Sequence, residues 1–148
     1  MLDERYSLRD KVALITGGSR GIGRAVALAF AEAGADVAVS SRNRRPPELE
    51  ETAEQVRAMG RKALAVPANV GKKEDVAGLV QKTLVAFGRI DILVNNAGGN
   101  PVLSTLAELD EEAFDKVLEV NLKGAFLVSK AVAAVMIAQG GGRIINVS

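Results

Sequence analysis

Eight consecutive residues, Thr16-Gly17-Gly18-Ser19-Arg20-Gly21-Ile22-Gly23, follow directly on an apolar run and precede an amphipathic one. A glycine-rich turn between strand and helix presents backbone N–H groups at a helix N-terminus, where the helix dipole favours an anion. Gly17 permits the tight turn, Gly21 lets the backbone approach a pyrophosphate, and Gly23 allows helix and strand to pack closely. A plain tight turn could use the same glycines. The strand before, the helix after and a second strand roughly twenty residues on favour dinucleotide binding instead. No Gly-Lys-Ser/Thr follows, so the loop is not of the Walker type.

The second strand closes on Ser40-Ser41-Arg42, with Arg44 and Arg45 just beyond and Arg20 inside the loop. An acidic residue at that place would hold the ribose 2′-hydroxyl of NAD. A carboxylate would repel a 2′-phosphate, whereas guanidinium groups pair with it in bidentate fashion. The same arginines could form only a solvated loop, but Arg20 and Arg42 flanking an adenosine site point to NADP(H) over NAD(H). Other chemistries are thinly supplied. The chain has no cysteine and no histidine, which removes thiolates, disulfides and the commonest general base and metal ligand. Hydrolysis by two carboxylates, as on a glycoside, would need a pair in one cleft. Asp75, Asp91, Glu108, Asp110, Glu111 and Asp115 are available, but most read as helix caps or solvated faces.

These groups need a frame. Apolar runs at residues 12–16, 36–40, 63–66, 91–95 and 143–147 read as buried strands. Helical spacing fills the gaps: Ile22 to Ala33 before Gly34, Leu49 to Met59 after Pro46-Pro47, and Val76 to Phe87 before Gly88. A longer helix is expected over 111–139, with Asp110 as its N-cap. Five strands alternating with four helices predict βαβ units, hence a Rossmann-like α/β fold: a doubly wound parallel sheet in a three-layer α/β/α sandwich. No repeat, low-complexity tract or linker divides the chain, so residues 1–148 are expected to form a single domain.

The composition agrees. Of 148 residues, 48% are hydrophobic and 25% charged, as in a globular protein. A net charge of +1 and 3% aromatic content offer neither a basic field nor stacking platforms for nucleic acid. No apolar run approaches membrane-spanning length and the N-terminus is no signal peptide, so cytoplasmic residence without a membrane partner is the default expectation.

Taken with Asn95-Asn96-Ala97-Gly98 after the fourth strand, Val120-Asn121-Leu122-Lys123-Gly124 and the run Gly142 to Ser148, the glycine loop makes the chain resemble the short-chain dehydrogenase/reductase family over nearly its whole length. The resemblance implies a nicotinamide dinucleotide lined by Gly17, Ser19, Arg20, Gly21, Ile22 and Gly23, with Ser41 and Arg42 at the adenosine end. It places Asn69-Val70 where the family usually carries an Asp-Val pair touching adenine, and Asn96, Ala97 and Gly98 beside the nicotinamide-side ribose. Asn95 reads equally as a buried amide tying strands together. Asn121 falls on the family's catalytic-site asparagine, which holds a water linking the catalytic lysine to solvent. Ser148 stands at the first serine of the pair whose second member is catalytic. The activity implied is hydride transfer with a small carbonyl or alcohol substrate, using a tyrosine and a lysine in Y-x-x-x-K spacing. Tyr6, the single tyrosine, precedes the first strand and does not match. The chain is therefore expected to be the cofactor-binding part of such an enzyme, truncated before that segment, or a nucleotide-binding module without catalysis. Phe126, Leu127, Val128, Ala131, Val132, Val135, Met136 and Ile137 put apolar surface around much of the long helix, which predicts a homo-oligomer.

Overall fold

The computed structural model describes residues 3–42, 46–99 and 103–148. Arg44 and Arg45 lie outside the described residues. Five parallel strands form one sheet in the order β3-β2-β1-β4-β5. They are β1 (Val12–Thr16), β2 (Asp36–Ser41), β3 (Ala63–Pro67), β4 (Ile92–Asn95) and β5 (Arg143–Asn146). The helices are α1 (Gly21–Glu32), α2 (Pro46–Ala58), α3 (Lys73–Phe87), α4 (Glu111–Leu118) and α5 (Gly124–Gln139). The expected α/β fold is thus the observed one.

Strand alternation sorts the core into two layers. Ala13, Ile15, Val37 and Val39 face Ala27 and Ala31 of α1 and Ala53 and Val56 of α2. Leu14, Ala38, Val66 and Leu93 face Val76 and Leu79 of α3 and Val128, Val132 and Met136 of α5. Burial of both faces explains why the inner strands read as unbroken apolar runs. The chain leaves β1 in one direction along the sheet, to β2 and β3, and then returns to pair β4 on the other side of β1. Neighbouring βα connections therefore diverge between β1 and β4, and a crevice opens at the strands' C-terminal ends.

Asp91 anchors the opposite end. Its carboxylate accepts the Val12 N–H at 2.9 Å and hydrogen bonds from Arg89 at 2.8 and 2.6 Å, while its carbonyl accepts the Arg143 N–H. One residue thereby sets the entry of β1, β4 and β5. Burial would raise this carboxyl, but the Arg89 and Val12 hydrogen bonds, with the charges of Arg89 and Lys11, outweigh it and hold the group below the usual carboxylate range.

The expected single helix over 111–139 is not regular. A π turn, Glu119–Lys123, joins α4 to α5. An inserted residue of this kind leaves the apolar period nearly intact, so hydropathy does not reveal it. Asp110 caps α4 as expected, accepting the Ala113 N–H at 2.7 Å. The combined 29-residue helix, Glu111–Gln139, is long and apolar enough to cross a membrane by length and mean hydropathy, contrary to the sequence expectation. In this fold its Val128, Val132 and Met136 are instead buried in the core.

Candidate binding cleft

A cleft of about 900 Å³ lies over the C-terminal ends of the strands. Its floor is the loop from β1 to α1. Gly17 takes φ +65°, and a methyl group there would stand 2.9 Å from Asn96 Nδ2. At Gly23 a methyl would fall 2.1 Å from the Gly17 carbonyl oxygen, so α1 can approach the loop this closely only without a side chain. A methyl group at Gly21 would meet nothing within 4 Å among the described residues, so that side of its backbone is open. Thr16 ties the floor to the wall: its hydroxyl accepts the N–H groups of Asn96 and Ala97, each at 3.0 Å. Asn96 returns its side-chain amide to the Gly17 carbonyl at 3.2 Å.

Helix α1 begins without a side-chain cap, since Arg20 at the N-cap is extended and makes no capping bond. Among the described residues the first-turn N–H groups of Gly21, Ile22 and Gly23 thus have no side-chain acceptor, and two of these residues line the cleft. Unpaired donors at a helix N-terminus, beside a floor kept clear of Cβ atoms, fit a pyrophosphate. The donor set and the space therefore suit a dinucleotide.

Of the residues singled out from sequence, Gly17, Ser19, Arg20, Gly21, Ile22, Ser41, Arg42, Val70, Asn96, Ala97 and Gly98 all line this cleft. Gly23 is buried beneath it. Asn69 does not line it: its Oδ1 accepts the Gly71 N–H at 3.0 Å, and its own N–H donates to Asp75 at 2.8 Å. The side chain is thus held within the loop after β3. Asn121 and Ser148 meet in a second cavity of about 390 Å³, which shares Val70 and Ala97 with the first. There Asn121 makes two hydrogen bonds with Gly99, donating to its carbonyl at 3.0 Å and accepting its N–H at 2.9 Å. The π turn places Asn121 for this contact.

Asn95 is the buried tie its alternative reading described. Its amide donates to Ser129 at 2.8 Å and to Asn146 at 2.9 Å, joining β4 to α5 and β5, while its Oδ1 has no partner among the described residues. Among the carboxylates, Asp110 caps α4, Asp75 caps the β3 loop, Asp91 pins the strands, and Glu108 accepts the Thr105 hydroxyl. Sequence reasoning missed Glu48, Lys116, Glu119 and Val120, which also line the main cleft. Residues at strand ends are marked by their position in the sequence, whereas these four lie on helical segments, where nothing local says that they face the cleft.

Comparison with known proteins follows the same pattern. The family model described as short chain dehydrogenase matches residues 11–148. An uncharacterized oxidoreductase of Mycobacterium tuberculosis is 45% identical, over 100% of this chain and 56% of its own length. A solved putative short-chain alcohol dehydrogenase from Sinorhizobium meliloti superposes with a TM-score of 0.89 at 39% identity, over 95% of this chain and 55% of its own. An NAD+-bound xylitol dehydrogenase gives a TM-score of 0.88 at 39% identity, over 93% and 52%. The chain thus spans little more than half the length of the proteins it matches.

Proposed function

Because the chain belongs to the short-chain dehydrogenase family, we propose that its cleft binds NADP(H) as the cofactor-binding part of an oxidoreductase acting on a small carbonyl or alcohol. The observation that carries the reading is the uncapped α1 N-terminus set over a floor that glycine keeps open. In this reading the N–H groups of Gly21 and Ile22 hold the pyrophosphate, and Ser19 stands beside them. Arg20 and Arg42 pair with the 2′-phosphate, and Ser41 stands where an acidic residue would repel it. Asn96, Ala97 and Gly98 support the nicotinamide-side ribose. The bound nicotinamide supplies hydride transfer. Asn121 fixes Gly99, and with it the turn after β4, while Ser148 sits across the second cavity.

The proton-moving tyrosine that the resemblance implies has no counterpart in this sequence. Tyr6 lies in a short turn ahead of β1, at the other end of that strand from the glycine loop. The same cleft would also serve a second reading, a dinucleotide-binding module without turnover. Calorimetric titration with NADPH and NADH, followed by an assay of NADPH oxidation with carbonyl compounds, separates the possibilities. Selective NADPH binding is the expected result, and binding of neither dinucleotide overturns the proposal. Binding without turnover selects the second reading.

A further inference from the structure

If the cleft holds a dinucleotide as proposed above, its adenine needs an acceptor for the exocyclic amine. Asn69, at the place where the family resemblance puts adenine contact, does not line the cleft, and its Oδ1 already accepts the Gly71 N–H. The cleft-lining neighbours Ala68 and Val70 leave that end apolar on the β3 side. A carboxylate stands opposite. Glu119 opens the π turn, lines the cleft, and carries its Cγ over Gly71, where an added methyl would lie 3.1 Å from Glu119 Cγ and 3.2 Å from Asn69 Oδ1. Absence of a side chain at Gly71 is thus what lets helix and loop approach. Lys116, one turn earlier, also lines the cleft, but its ammonium pairs with Glu112 at 3.0 Å. The other cleft carboxylate, Glu48, belongs to α2, the helix that follows Ser41 and Arg42.

We propose that Glu119 is a specificity-determining residue that reads the adenine base, its carboxylate accepting the amine N–H in place of Asn69. The inference rests on the dinucleotide reading of the cleft. Hydrogen bonds to charged acceptors are the stronger kind, so the expected discrimination is about tenfold. The test titrates the intact chain with NADPH and with its deamino analogue, in which hypoxanthine replaces adenine and a carbonyl oxygen replaces the amine. The unmodified chain should bind the adenine form about tenfold tighter. Glu119→Ala should bring the two within about twofold of each other, removing the acceptor. Glu119→Arg, which keeps a long solvated side chain, should favour the hypoxanthine form because guanidinium donates to the carbonyl. If both forms bind and the ratio is unchanged in the variants, Glu119 does not read the base although the cleft still binds dinucleotide. If the unmodified chain binds neither form, the dinucleotide reading and this inference fall together.

Discussion

Arg42 and Gly23 carry the two most separable consequences at the level of single side chains. Arg42 is exposed at the rim beside Ser41, so its removal leaves the core untouched. Arg42→Ala should weaken NADPH binding roughly ten- to hundredfold while leaving NADH within about twofold, as measured by calorimetry. Equal losses for both would assign Arg42 no part in reading the 2′-phosphate. Gly23→Ala places a methyl against the Gly17 carbonyl oxygen, and neither backbone segment is free to yield. It should lower the urea-derived stability by about 1–3 kcal/mol and abolish dinucleotide binding; wild-type stability would contradict this account of the loop. Glycine roles of this kind were legible in the sequence because backbone conformation and close approach are local demands. The orientation of Asn69 was not, since Asp75, in the helix that follows, helps to set it. Lys116 and Glu119 were equally hidden, because nothing in their own segment says which strand end they overhang.

Elements are held in register by a few buried polar ties, and Asp91 is the one with a pH signature. Its folded value lies below that of the unfolded chain, so the stabilisation is present above about pH 4 and is lost as pH falls through the folded value. Urea midpoints should therefore differ most between the unmodified chain and Asp91→Asn at neutral pH, and converge below about pH 4. A difference independent of pH would mean that charge at Asp91 is irrelevant to the strand ends. The strands and helices α1 and α3 were readable because apolar runs and 3.6-residue stripes coincide with their buried faces. Two features were not. The π turn inserts one residue without breaking the stripe, and it is where Asn121 and Glu119 gain their positions. Strand β5 is apolar in sequence yet exposed along its length, because periodicity cannot say which strand ends up at an edge.

Viewed as a whole, the molecule pairs a well-filled centre with a bare flank. Leu122 and Phe126 are 65% and 59% exposed, and Phe114 and Leu118 lie on the same helical run with 49% and 40%. The outer edge of β5 is unpaired among the described residues, and Ile145 within it and Val147 just after it are 44% and 41% exposed. Such a surface favours self-association. Light scattering at micromolar concentration should return a mass of two chains or more, and a clean monomer would contradict that expectation. The α/β architecture followed from element order, whereas the divergence at β1 and β4 that opens the crevice depends on the strand order, which element order does not state. The central claim is that this chain by itself presents backbone donors to a dinucleotide. Backbone amide NMR with and without NADPH tests it most directly. The account predicts the largest shifts at Gly21, Ile22, Arg42, Val70 and Ala97, with none at Tyr6. An unchanged spectrum, or shifts confined to residues away from the cleft, would contradict it.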